Sequence, residues 1–297
     1  MPINFQPIAE NGREQTRLTP LVAPFLKWPG GKRWLVPQVQ ELIANIEFKR
    51  YFEPFAGGAA LFFALQPRCA VLSDVNADLM NTYGEVRDHA PAIIRRLMLL
   101  PVDQETYYRV RADEPKARID RAVRFLYLNR TAFGGIYRLN RQGRFNVPFG
   151  GGERTPSVLW DRDLLRPAAR VLRRSKLTVG DFEAVLREVR RGDLVYCDPT
   201  YTVSHSDNGF IRYNESNFRW EDQKRLAEVC KDLQARGATV LVSNASHPAV
   251  RAIFNSCEVH VFSRASTVCP QTDSRRAVQE HVFVYRPESR TRTVGWG

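Results

Sequence analysis

The sequence predicts an open α/β sheet interrupted by a helical, basic insertion, and three observations carry that prediction. First, a strand-like segment, Arg50–Phe55, runs into the small-residue turn Ala56-Gly57-Gly58-Ala59-Ala60, a short helix and a second strand-like segment, Cys69–Asp74. Strand, glycine turn, helix, strand is a βαβ unit, whose crossover makes its strands parallel. Second, from Asn76 to about Arg130 the pattern turns helical and rich in arginine. Third, the βα rhythm resumes near Lys176 and contains the unbroken apolar run Leu194-Val195-Tyr196-Cys197, which suits a central strand covered on both faces.

Residues 1–24 are polar and Pro-containing without steady periodicity, and read as an arm. In the βαβ unit, Leu61, Phe62, Phe63 and Leu65 mark the helix, and Asp74 closes the second strand. Within the helical stretch, Ile119, Ala122, Val123, Leu126 and Tyr127 share one face, while Arg118, Arg121 and Arg124 lie elsewhere on that helix. Between Thr131 and Thr155 glycines, aromatics and arginines interleave, with Phe133, Tyr137, Arg138, Arg144 and Phe145 among them, which predicts a surface hairpin or loop. Further on, Leu177–Val179 reads as a strand, Phe182–Arg190 and Glu221–Ala235 as helices, and Thr239–Ser243 as another strand. Alternation in Val259–Phe262 and Val282–Tyr285 predicts two more, and the tail after Arg286 is basic.

Composition narrows the function classes. Of 297 residues, 44 are Lys or Arg against 32 Asp or Glu, a formal charge of +12 that favours a polyanionic partner through release of condensed counterions. Charge alone also serves solubility. The five cysteines (Cys69, Cys197, Cys230, Cys257, Cys269) are scattered and never spaced as CxxC, so neither a disulfide framework nor a metal site is expected. The first residues lack an apolar core and no apolar run is long enough to cross a bilayer, so a soluble, intracellular protein is expected.

Three segments carry chemistry. In the turn Phe55-Ala56-Gly57-Gly58-Ala59 the glycines would let the backbone approach a ligand, and Asp74 lies about 20 residues on, where an acid can bind ribose hydroxyls. Taken alone, such a turn serves helix–strand packing equally well, and Asp74 could cap a helix beginning near Asn76. Asp198-Pro199-Thr200-Tyr201 follows the most apolar strand, at the edge where open α/β sheets bind ligands. An aromatic amine is a poor nucleophile because its lone pair is delocalised. A carboxylate (Asp198) and a carbonyl (Pro199) that accept its two N–H hydrogens favour attack, and these bonds strengthen as charge develops on nitrogen. Tyr201 could stack on an extruded base. The plain alternative is a turn with a capping Asp. Lys27-Trp28-Pro29-Gly30-Gly31-Lys32 is not a P-loop, because Leu26 stands where its first glycine belongs and Arg33 where Ser or Thr does. It reads either as a ligand grip or as a plain loop with a partly buried Trp.

These segments, in order, closely resemble the Dam-type DNA N6-adenine methyltransferases of the D12 class, whose motifs read K-W-x-G-G-K, E-P-F-x-G-G, D-x-N and D-P-P-Y. Here they stand as Lys27–Lys32, Glu53–Gly58, Asp74-Val75-Asn76 and Asp198–Tyr201. Tyr127-Leu128-Asn129-Arg130 and Arg144–Gly150 resemble the family's DNA-recognition insertion, and Ser243-Asn244 corresponds as well. The resemblance spans roughly Phe25 to Tyr285. It implies a Rossmann-like methyltransferase sheet, built from 1–76 and 160–297, with an inserted, mainly helical target-recognition domain at 77–159. It implies S-adenosylmethionine as cofactor, no metal, and methyl transfer to N6 of a flipped adenine in double-stranded DNA. Trp28, Lys32, Phe55, Gly57, Asp74 and Asp198 would line the cofactor site, and Asp198, Pro199 and Tyr201 would hold the adenine. Arg130, Phe133, Arg138 and Arg144 would meet DNA. A cytoplasmic, nucleoid-associated monomer is expected, open to a partner restriction nuclease.

Thr200 stands where the family has its second proline, so the loop loses one fixed φ. Phe133-Gly134 replaces a Tyr-Asn pair of the GATC enzymes, and Gly150-Gly151-Gly152 replaces a glycine followed by a basic residue, so GATC stays open as the target without being established. These departures keep alternatives in view: an inactive DNA-binding relative, or an amine methyltransferase acting on cytosine N4 or RNA. A nicotinamide dehydrogenase would leave the Asp198–Tyr201 strand end unexplained.

Overall fold

The computed structural model describes residues 22–140, 142–152, 155–160, 162–202, 218–265 and 277–287. The N-terminal arm up to residue 21, the basic tail from residue 288 and Cys269 lie outside the described residues.

Seven described strands form one sheet: β1 (Tyr51–Glu53), β2 (Ala70–Asp74), β3 (Ser175–Val179), β4 (Leu194–Cys197), β5 (Thr239–Ala245), β6 (Glu258–Ala265) and β7 (Ala277–Tyr285). Their spatial order is β3-β2-β1-β4-β5-β7-β6. The first five in chain order run parallel, and β7 and β6 form an antiparallel edge. The predicted α/β sheet is thus observed. All four residues of β4 are buried, Leu194 and Tyr196 in the core on one face, Val195 and Cys197 in the core on the other. That is the physical content of an unbroken apolar run: neither face meets water.

Chain order reverses across the sheet between β1 and β4. From β1 the chain moves outward to β2 and β3, and then returns to β4 and β5 on the other side. Such a topological switch leaves a crevice outside the carboxyl ends of the two strands.

The connection from β2 to β3 contains α3 (Ala77–Met98), α4 (Gln104–Ala112), α5 (Arg118–Thr131), a 3-10 turn (Phe133–Gly135), α6 (Pro156–Leu159) and α7 (Arg162–Leu172). Asn76 caps α3 by accepting the Leu79 N–H at 3.0 Å, and Asp103 caps α4 by accepting that of Thr106 at 2.7 Å. Pro91 lies inside α3, and the helix breaks locally at His89. The predicted hairpin after α5 is held by isolated bridges, Ala132 to Phe149 and Leu139 to Phe145.

Short elements depart from expectation. The helix predicted over 182–190 is α8 (Phe182–Leu186), since the chain must turn before Gly192 to enter β4. A helix not predicted, α1 (Val36–Leu42), carries Pro37 in its first turn and buries Val39. The remaining helices are α2 (Ala60–Leu65), α9 (Trp220–Ala235) and α10 (Pro248–Ile253). No described helix is long and apolar enough to cross a membrane.

Candidate active site

The glycine turn leaves β1 at the switch point. Gly57 has φ +44°, and a Cβ there would stand 2.8 Å from the Trp28 Nε1, so this close approach requires glycine. The Asp74 carboxylate braces the turn: Oδ2 accepts the Gly57 N–H at 3.1 Å and Oδ1 that of Asn76 at 2.9 Å. Helix α3 is capped by Asn76, not Asp74, which corrects the capping alternative. Burial raises the Asp74 pKa, and its backbone N–H donors oppose that rise. From the other side, the Tyr83 hydroxyl donates to the Gly57 carbonyl at 2.8 Å. Phe55 packs against Phe182 and Phe218, with ring centroids 5.3 and 5.5 Å away.

The Lys27–Lys32 loop joins this turn to the strand end of β4. Asn129 at the end of α5 fixes the loop by accepting the Lys27 N–H (2.9 Å) and donating to its carbonyl (2.7 Å). The Trp28 indole covers Gly57 and Gly58 and stacks on Tyr137, centroids 5.8 Å apart at 18°. Lys32 is only 6% exposed, and its ammonium lies 3.3 Å from Asp198 Oδ1 and 3.2 Å from Glu280 Oε2. It donates to the Tyr201 hydroxyl at 2.6 Å and to the Gly30 carbonyl at 3.2 Å. A centroid distance of 4.6 Å with a hydroxyl distance of 2.6 Å puts the ammonium off the hydroxyl end of Tyr201 rather than over the middle of its face.

Asp198 is held from the neighbouring strand. In the β4–β5 register Cys197 faces Val242, so Ser243 comes level with Asp198, and its hydroxyl donates to Oδ1 at 2.7 Å. Burial raises the Asp198 pKa above the usual carboxylate range, while the Lys32 ammonium and the Ser243 hydroxyl oppose that rise. Pro199 is buried. The Thr200 carbonyl accepts from Gln223 of α9 at 3.4 Å, and Gln223 in turn accepts from Asn244 at 2.9 Å. Here a helix side chain braces the loop where the family's second proline is missing.

The structure therefore brings Asp198, Tyr201 and Lys32 into one cluster, with Asp74, Gly57, Phe55 and Trp28 along the same sheet edge. Sequence reasoning missed Glu280, Gln223 and the bridging Tyr137. Glu280 lies on β7, between β5 and β6, ahead of the strand read from Val282 to Tyr285, so only its partnership with Lys32 reveals it.

The expected DNA-facing residues sit on the insertion. Phe133 is 60% exposed. Arg138 donates to the Asn146 side chain at 2.8 Å, and Arg144 forms an exposed pair with Glu114 at 3.4 Å. Arg130 is half-buried at the end of α5. Between α4, α5 and the hairpin lies a cleft of about 830 Å³ lined by Arg111, Arg121, Arg124 and Arg144, of which Arg121 pairs with Asp78 and Arg144 with Glu114 in the same lining.

A glycine turn and an acid facing one crevice at a topological switch are the arrangement by which open α/β enzymes bind their ligands. The chain belongs to the D12 class N6 adenine-specific DNA methyltransferase family, which it matches over residues 28–268. It is 34% identical to a type II methyltransferase of Lactococcus lactis subsp. cremoris, over 86% of this chain and 93% of that one. It is 36% identical to a type II methyltransferase of Methanocaldococcus jannaschii, over 75% and 84%. Identity to the DNA adenine methylase of Escherichia coli is 29%, over 89% and 95%.

Proposed function

We propose that this chain transfers a methyl group from S-adenosylmethionine to N6 of an adenine flipped out of duplex DNA. The observation that supports this most is the Asp198 carboxylate at the carboxyl end of β4, steadied by Lys32 and Ser243, on the same sheet edge as the Trp28-covered turn at Gly57.

The residues present fit such a cofactor. Gly57 and Gly58 allow close backbone approach, Asp74 has lone pairs beyond those given to the turn, and one oxygen of the buried Glu280 accepts no hydrogen bond. Trp28, Lys32, Phe55, Gly57, Asp74 and Asp198 would hold it. When bound, it supplies a methyl carbon already activated on a cationic sulfur. Asp198 and the Pro199 carbonyl accept the two N6 hydrogens, turning the nitrogen lone pair toward that carbon. The methyl would pass from the donor's sulfur to the amine nitrogen, and Asp198 would take the proton that this nitrogen sheds. Burial makes that carboxylate a stronger proton acceptor than an exposed one. Tyr201 stacks on the adenine, compensating part of the unstacking cost.

Residues 77–159 form the target-recognition insertion on this reading, with 1–76 and 160–297 catalytic. Arg130, Phe133, Arg138 and Arg144 meet the duplex, and the arginine-lined cleft adds to the attraction for phosphates. The enzyme acts as a cytoplasmic, nucleoid-associated monomer, open to pairing with a restriction nuclease. The test is long-read, methylation-sensitive sequencing of DNA from an expressing strain, with nucleoside mass spectrometry of the digest. N6-methyladenine at one short motif is expected. N4-methylcytosine, or an unmodified genome beside folded, cofactor-binding protein, would overturn the proposal.

A further inference from the structure

Glu280 is 1% exposed on β7, and its Oε2 lies 3.2 Å from the Lys32 ammonium yet makes no hydrogen bond among the described residues. The same ammonium lies 3.3 Å from Asp198 Oδ1. Two carboxylates thus share one cation, so with both ionised the cluster keeps a formal charge of −1, met only in part by the Tyr201 hydroxyl, which donates to Glu280. A buried, uncompensated negative charge is costly unless something cationic offsets it. Each carboxylate has a separate anchor. Ser243 holds Asp198, while the backbone of Glu280 is fixed by its pairing opposite Ala245 in β5.

Resting on the reading that S-adenosylmethionine binds beside Asp198, we propose that Glu280 is the residue that makes this site prefer a cationic methyl donor over its neutral product. With Glu280 in place, the excess negative charge of the Asp198–Lys32–Glu280 cluster is neutralised when a sulfonium is bound. Once the methyl has left, the product sulfur is an uncharged thioether and that attraction is gone, so product leaves more readily than donor. Glu280 also competes with Asp198 for Lys32. It thereby keeps an Asp198 lone pair available for the adenine amine and acts as a positioning residue.

The test is calorimetric binding by the full chain of three ligands: S-adenosylmethionine, S-adenosylhomocysteine and sinefungin, which carries an ammonium-bearing carbon in place of the sulfonium. Glu280→Gln is expected to weaken both cationic ligands about tenfold and to leave S-adenosylhomocysteine within about twofold. Glu280→Ala provides the same comparison if the amide is not tolerated, and Glu280→Asp should restore most of the preference because it restores the charge. All three ligands carry the same amino-acid ammonium, so an equal loss for all three would mean that Glu280 serves that group or the fold, and would overturn the proposal. So would an unchanged preference in the variant, or failure of Glu280→Asp to restore it. Wild-type protein that bound none of the three would instead sink the cofactor reading itself.

Discussion

The strand-end cluster and the hairpin that follows α5 hold their polar groups in opposite ways. At the strand end, Lys32 touches four oxygens, those of Asp198, Glu280, Tyr201 and the Gly30 carbonyl, and Asp198 is held in turn by Ser243. In the hairpin, Phe133 stands in solvent, Arg144 has one exposed partner, and the backbone is tied by isolated bridges. The first arrangement fixes groups before substrate arrives, as stabilising a transition state requires. The second, on the proposed function, leaves side chains to adapt to the duplex they would meet. Substitutions should therefore separate cleanly, lowering turnover in one region and DNA affinity in the other.

The largest separation is expected from Asp198→Ala. Losing the acceptor at the reacting amine should lower single-turnover methyl transfer at least about a hundredfold. Duplex DNA affinity, measured by fluorescence anisotropy, should stay within about twofold. A parallel collapse of both would mean that the strand end and the hairpin do not act separately.

Trp28 is the joint between the regions, with the glycine turn on one side and Tyr137 on the other. Trp28→Ala leaves a void at the turn and removes the stack, at a cost of about 3 kcal/mol in urea unfolding. It is the substitution expected to weaken cofactor and DNA binding together. If cofactor affinity falls while DNA affinity is untouched, the Tyr137 stack transmits nothing and the two regions are more independent than their packing suggests.

Glu53 sharpens the description of the strand-end region through pH. Burial pushes its pKa from the ordinary 4.5 to about 8, against the Tyr51 hydroxyl that donates to it at 2.8 Å. As pH rises from the ordinary carboxylate range, the unfolded chain sheds this proton first. The native protein holds the extra proton up to about pH 8, so stability falls across that window and levels off above it. The slope for this one group is at most about 1.4 kcal/mol per pH unit. Glu53→Gln keeps the shape without the titration, and its urea midpoint should vary less between about pH 5 and pH 8 than that of the wild type. An identical pH profile in the variant would assign the slope to other groups.

The same contrast explains what was legible in the residues. The sheet was readable because apolar runs such as Leu194–Cys197 need two covered faces, and that need is local. The glycine turn and Asp198 were readable because their residue types stand at strand ends. Glu280 was not. Its importance comes from a register, β7 against β5, and from a lysine about 250 positions earlier. The Asp74 role was half-readable. An acid at a strand end invites a cap or a ligand, and only the three-dimensional turn reveals the Gly57 N–H that it accepts. The α1 helix escaped notice because its seven residues are too few for periodicity to show.

The smallest effect expected is at Arg144, and it bears on whether the hairpin reads DNA or merely sits near it. Its pair with Glu114 at 3.4 Å is exposed on both sides, so Arg144→Ala should change stability by less than about 0.5 kcal/mol. If Arg144 meets a phosphate, its removal releases one fewer counterion, and the slope of log affinity against log salt should fall by about one across all sequences. If it reads a guanine, the slope should change less while discrimination at one position of the site relaxes by about 1–3 kcal/mol. Because the cleft beside Arg144 is lined by three further arginines, the phosphate outcome is the one expected. A mutant unchanged in slope and in discrimination would move the DNA path off this side of the hairpin.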